Sequence, residues 1–161
     1  MVLLGGRLPA YQIKEKIVKT IASNQITVVS GATGSGKSTQ VPQLVLDDMI
    51  FNNQGSEASI IMTQPRRISA IGVADRIASE RCEQVGETIG YSIRLESKRS
   101  AKTRLLLCTT GILLRRLQCD PGKNVIINQK LAVILFYLVF IIILLVSIQT
   151  SHPSRMYLLT R

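Results

Sequence analysis

The chain has 161 residues, enough for one domain of ordinary size at most. Its 20 Lys/Arg outnumber 10 Asp/Glu for a formal net charge of +10, the electrostatic footprint of a nucleic-acid partner. Cys82, Cys108 and Cys119 are odd in number and lack the paired C-x-x-C spacing of a zinc site, so reduced cysteines are expected.

In chain order, Ile13, Ile17 and Ile21 mark an amphipathic helix that begins after Pro9. Ile26-Thr27-Val28-Val29-Ser30 is a short β-branched run that reads as a buried strand. Val41, Leu44, Val45 and Met49 then recur at helical spacing over 37–50, with Pro42 expected to bend that helix or disturb its second turn. Asn52-Asn53-Gln54-Gly55 is a turn. Ile60-Ile61-Met62 is a second strand, and Ile71, Ala74, Ile77 and Ala78 give one face of a helix over 68–82. Ile89, Tyr91, Ile93 and Leu95 alternate as in a half-exposed strand. Arg104–Cys108 is a further strand and Gly111–Leu117 a short helix. Alternating strands and helices predict an α/β fold with a mostly parallel sheet covered by helices on both faces.

Between the first strand and its helix lies Gly31-Ala32-Thr33-Gly34-Ser35-Gly36-Lys37-Ser38, which fits G-x-x-x-x-G-K-[ST] at every fixed position. Strand, glycine loop and helix point backbone N–H groups and a helix N-terminus at phosphate oxygens. Lys37 is placed to reach the β- and γ-phosphates of a nucleoside triphosphate, and the Ser38 hydroxyl to hold Mg²⁺. A second motif, Thr63-Gln64-Pro65-Arg66-Arg67-Ile68-Ser69-Ala70, sets two arginines between a strand end and a helix start. That position suits capture of a backbone phosphate, or equally a solvated charge pair bridging to a carboxylate such as Glu80.

The run GATGSGKSTQVPQ at 31–43, TQPRRISA at 63–70, GYSIRLES at 90–97 and TTGILLRRL at 109–117 together resemble the first RecA-like domain of DEAH/RHA-box RNA helicases, over about residues 7–120. The resemblance implies that Gly31, Thr33, Gly34, Ser35, Gly36, Lys37, Ser38 and Thr39 bind ATP and Mg²⁺, and that Arg76 lies along the adenine ring. It implies that Arg66, Arg67, Arg94 and Thr109 line the backbone of single-stranded RNA. Arg94 is alternatively an exposed partner for Glu96, and Lys98, Arg99 and Lys102 read as a solvated turn.

The departures bear on turnover. The family follows TTG-x-L-L-R with a strand ending in Asp-Glu-x-His, whose Asp holds Mg²⁺ through water and whose Glu orients or activates the attacking water. Here no Asp or Glu follows Asp120. Leu46-Asp47-Asp48 falls in the helix after the phosphate loop and cannot serve, and Val125-Ile126-Ile127-Asn128-Gln129 offers amides at best. An amide is neither a general base nor an anionic ligand for Mg²⁺. The sequence also holds no counterpart of the family's second RecA-like domain, so the expectation is nucleotide and RNA binding without unwinding or efficient hydrolysis.

Residues 1–122 therefore read as a partial, incomplete RecA-like P-loop domain and 123–161 as a tail unlike the family, which carries Lys123, Lys130, Arg155 and Arg161 and no acid. Within the tail, 131–148 is uncharged and almost wholly apolar, a stretch that reads as an apolar C-terminal helix and a candidate membrane span. It reads alternatively as a helix or strand pair filling the incomplete sheet. The composition change near residue 122 suggests a truncated or alternatively terminated product, with a membrane-tethered or non-functional protein and a vestigial P-loop as the competing function. Few apolar residues precede Arg7, so no signal peptide is expected. Reduced cysteines suit a cytoplasmic or nuclear protein, with a membrane location if 131–148 inserts. Nothing in the sequence points to an oligomer.

Overall fold

The computed structural model describes residues 8–119, 133–134 and 157–160. They fall into two compact units, one drawn from Leu46–Phe136 and the other from Val2–Val45 with Tyr137–Arg161.

The first unit is built on a five-stranded sheet of order β4-β3-β5-β2-β6. Strands β2 (Ile60–Gln64), β3 (Ile89–Ile93), β5 (Leu105–Thr109) and β6 (Val133–Ile134) run parallel, while β4 (Glu96–Lys98) closes one edge antiparallel to β3. All five residues of β2 are buried and so are Leu105 to Cys108, as expected of central parallel strands with both faces covered. Helix α4 (Arg67–Glu80) buries Ala70, Ala74, Ile77 and Ala78. Three of these four are alanines, so the helix backbone can approach its neighbours closely. Ile71, read from the sequence as a core position, is only half-buried. Helix α5 (Thr110–Cys119) sets Leu113 and Ile112 against Ile61 and Cys108. Burial pushes the Cys108 thiol pKa up, against a smaller opposing pull from Arg116, so Cys108 is an inert core residue.

Two backbone positions in this unit carry sequence constraints. A Cβ on Gly90 would lie 2.8 Å from the Lys98 carbonyl oxygen across the β3–β4 ribbon, so only glycine fits there. Helix α4 ends in a Schellman motif, with Glu83 N–H donating to the Ala78 carbonyl at 3.0 Å and Cys82 N–H to that of Ser79 at 3.2 Å. Its left-handed residue is Cys82, at φ 57°, where glycine is the usual occupant. Cys82→Gly is expected to stabilise the protein by up to about 1 kcal/mol, read as a rise in the urea midpoint followed by circular dichroism. A fall in the midpoint would contradict this account of the helix end.

In the second unit, Pro9 starts α1 (Pro9–Gln12). The single helix expected from the isoleucine spacing is broken at Ile13 (φ −111°, ψ 24°) and resumes as α2 (Lys14–Ser23), with Ile17 fully buried. Helix α3 (Lys37–Phe51), of which the residues up to Val45 belong to this unit, runs through Pro42 without interruption. Pro42 has no N–H to donate, so the Ser38 carbonyl loses its helical partner. The Gln43 side-chain amide donates to the next carbonyl, Thr39, at 2.9 Å.

Strand β1 (Thr27–Ser30) is not part of the parallel sheet. It pairs antiparallel with β7 (Tyr157–Thr160) in a two-stranded sheet of its own, in the register Thr27↔Thr160 to Ser30↔Tyr157. A strand edge leaves a row of polar groups that require pairing, and here a strand of the tail supplies it. The apolar helix read over 131–148 lies outside the described residues except at Val133–Ile134. Those two are extended and pair with Ile61 and Met62 of β2, as the sheet-filling alternative anticipated. Among the described residues no helix is long and apolar enough to cross a membrane.

Candidate nucleotide loop and basic face

The glycine loop joins β1 to α3. Gly34 and Gly36 adopt φ values of 81° and 89°, a region closed to most side chains. Gly36 has a second constraint, because a Cβ there would fall 2.9 Å from Gln40 Cγ and 3.0 Å from Leu8 Cδ1. Ser35 N–H donates to the Ala32 carbonyl at 3.2 Å, and Ala10 N–H donates to the Ser35 carbonyl at 3.1 Å, so α1 braces the loop from outside. The Lys37 ammonium turns back over the loop and donates to the Gly31 carbonyl, the Ala32 carbonyl (2.7 Å) and the Ser35 hydroxyl (3.2 Å). These three bonds occupy its three N–H donors. Burial lowers its pKa from 10.5. Ser38 and Thr39 follow in the first turn of α3, half-buried, and that turn holds no acidic residue to repel an anion. Thr33 and Gly34 are exposed at the loop tip.

The other site residues belong to the first unit. Arg66 is the N-cap of α4 (φ −115°, ψ 144°) with no side-chain cap bond, and Arg67 is the first helical residue. Both are exposed, and neither bridges to Glu80. Glu80 is instead paired one helical turn along with Arg76, Nε to Oε1 at 2.7 Å. Parallel register sets Gln64 beside Thr109 and Ser92 beside Cys108. Thr109, the Arg66–Arg67 pair and Arg94 beyond β3 therefore gather at one end of the sheet, the C-terminal end where open α/β sheets carry ligands. Arg94 is exposed in the two-residue link from β3 to β4, and its alternative partner Glu96 accepts a bond from the Tyr91 hydroxyl. The proximity of that carboxylate raises the Tyr91 pKa, mainly through this hydrogen bond.

Sequence reasoning missed a cleft at the same end of the sheet, lined by Arg66, Arg67, Ile68, Ile71 and Ile93, with a volume of about 480 Å³. Ile68 is 84% exposed beside it. The signal was present in the motif itself, since Ile68 falls outside the Ala70–Ala74–Ile77 face that α4 buries. Leu95, read as the last residue of an alternating strand, is instead in the turn after β3 at φ 69° and is 94% exposed. Asp47 lies in α3 and accepts from Arg81 Nη1 at 2.7 Å, so the Leu46-Asp47-Asp48 run is a helix surface and not a strand ending in carboxylates.

No protein-family model matches the chain. Individual curated proteins do. The DExH-box ATP-dependent RNA helicase DExH1 of Arabidopsis thaliana is 58% identical over 116 residues, 72% of this chain. The putative ATP-dependent RNA helicase DHX57 of Homo sapiens is 56% identical over 115 residues, 71% of the chain. The human ATP-dependent DNA/RNA helicase DHX36 is 50% identical over 118 residues, again 71% of the chain. Over this stretch the chain is homologous to DEAH/RHA-box RNA helicases. The matches cover 12%, 8% and 12% of those three relatives, so the chain spans a small part of each. In this helicase stretch the α/β fold is that of a partial RecA-like domain, with a mostly parallel sheet and flanking helices.

Proposed function

We propose that residues 1–122 form a partial RecA-like domain that binds ATP and RNA, as part of a DEAH/RHA-type helicase, and that this chain alone neither unwinds RNA nor hydrolyses ATP efficiently. Residues 123–161 are then a tail outside the helicase stretch. The loop geometry carries the reading. Gly34 and Gly36 open the backbone at the start of a 15-residue helix, with a half-buried ammonium folded over the loop. Backbone N–H groups of Gly31–Thr39 would hold the phosphates, and the Ser38 hydroxyl would hold Mg²⁺, which supplies charge neutralisation on phosphate oxygens. A phosphate oxygen would replace one of the three acceptors that Lys37 now holds. Arg76 would lie along the adenine, with its guanidinium already fixed by Glu80.

Only protonated Lys37 serves an anion. Its pKa is lowered from 10.5, so affinity for a fluorescent ATP analogue is expected to fall as pH rises through a value below 10.5. Folding follows the same group with the opposite preference: the unfolded chain binds that proton more tightly, so its contribution to stability rises with pH across that window. An affinity that stays flat to pH 10.5 would contradict the lowered Lys37 pKa.

Arg66, Arg67, Arg94 and Thr109 would contact the sugar–phosphate backbone of single-stranded RNA, giving affinity largely independent of sequence. The test is fluorescence anisotropy of a labelled single-stranded RNA across a salt series. Arg66→Ala with Arg67→Ala is expected to weaken binding and flatten the log–log salt slope by about 0.7 per lost contact. Equal affinity and slope in wild type and variant would overturn the assignment. The absence of acids after Asp120, with Asp47 engaged by Arg81 in a helix, supports binding without efficient turnover.

A further inference from the structure

We propose that the cleft between the start of α4 and the end of β3 receives a nucleobase of the bound RNA strand, while Arg66 and Arg67 hold the adjoining phosphate. The inference rests on the RNA reading above and adds a contact to the base. The cleft's volume of about 480 Å³ lies within the usual ~300–1,000 Å³ of small-molecule sites. It is lined by Ile68, Ile71 and Ile93 and by the two arginines, with no carboxylate among the lining residues. Arg66 and Arg67 differ from Arg76 and Arg81 of the same helix region, which are held in ion pairs with Glu80, Asp47 and Glu83. Among the described residues Arg66 and Arg67 have no such partner, which leaves two full cations beside an apolar cleft. Ile68 is 84% exposed, a large apolar side chain that solvent does not favour.

A nucleotide combines the two properties this surface complements: an anion for the guanidinium groups and a flat, weakly hydrated face for the isoleucines. Guanidinium planes also stack on bases, so the arginines serve both parts of the ligand. Because the isoleucine side chains offer no hydrogen-bond donor or acceptor, the cleft would accept any base. The occupant is therefore an RNA strand of arbitrary sequence. An acidic amphipathic peptide shares the charge and the apolar character, and the test separates the two.

The full chain is titrated against two fluorescein-labelled oligoribonucleotides of about twelve nucleotides, within the site sizes such surfaces take. One is oligouridylate and the other an abasic strand with the same ribose–phosphate backbone. Wild type is expected to bind oligouridylate about tenfold more tightly than the abasic strand. Ile68→Ser, on a side chain too exposed to disturb the core, is expected to bring that ratio towards one while leaving abasic affinity unchanged. Arg66→Ala lowers the affinity for both strands together. A wild-type ratio near one, or an unchanged ratio in Ile68→Ser, overturns the base cleft and leaves the RNA reading intact. Failure of both strands to bind overturns the RNA reading and the cleft with it. A Glu/Leu-rich peptide that binds more tightly than oligouridylate and loses affinity in Ile68→Ser makes the occupant a peptide and also overturns the proposal.

Discussion

Lys37→Ala is expected to lower affinity for a fluorescent ATP analogue by roughly ten- to a hundredfold, with secondary structure by circular dichroism unchanged. Lys37 holds together two functions that pull apart in the variant. Its ammonium ties Gly31, Ala32 and Ser35 into one curve, and it is the charge that would meet a phosphate held by the loop. A hydrogen bond to a charged group is worth about 1.5–3 kcal/mol, which converts to the stated loss. Lys37→Met separates the two, since it keeps the aliphatic stem and removes the charge. It should lose as much affinity as the alanine variant if the charge is what matters. Retention of affinity within twofold in both variants would mean that the loop binds no phosphate.

Leu107→Ala is expected to destabilise the protein by about 2–5 kcal/mol, measured by urea unfolding with circular dichroism as the probe. Leu107 is fully buried at the middle of β5, paired in register with Met62 of β2 and Tyr91 of β3. Packing there resists collapse around a deleted isobutyl group, so the cavity term adds to the lost transfer energy. Set against the roughly 5–15 kcal/mol of an ordinary domain, the loss is severe. Leu114→Ala, on α5 at 55% exposure, serves as the contrast and should fall within about 0.5 kcal/mol of wild type. Near-equal effects for the two leucines would show that the five-stranded sheet is not the core of its unit.

Local pattern made most of the helicase stretch legible. β-branched and apolar runs at Thr27–Ser30, Ile60–Gln64 and Leu105–Thr109 are strands within a residue or two of where periodicity put them. The glycine loop was legible because its positive φ values demand glycine at Gly34 and Gly36, and that demand is written in the sequence. Pairing partners were not legible. Which strand lies beside β1 depends on which edges remain open, a non-local property that residues 26–30 do not encode. The tail's strand β7 was likewise hidden, and β6 was legible only as one of two alternatives, because an apolar run such as 131–148 satisfies helix and strand patterns equally. Ile13 carried no sign of the break between α1 and α2. The basic face became visible only in three dimensions, when the parallel register brought Thr109 level with Gln64 beside the two arginines. The isoleucine cleft escaped notice because Ile68 lies off the helix face read as core, and no local pattern tells that such a residue borders a cleft.

Binding of ATP without its efficient turnover is the central proposal, and one assay bears on it directly. Phosphate release by the full chain with Mg²⁺ and ATP, with and without single-stranded RNA, should remain at the level of the Lys37→Ala variant even where a fluorescent ATP analogue saturates the wild type. Release in the wild type that RNA stimulates and Lys37→Ala abolishes would contradict it.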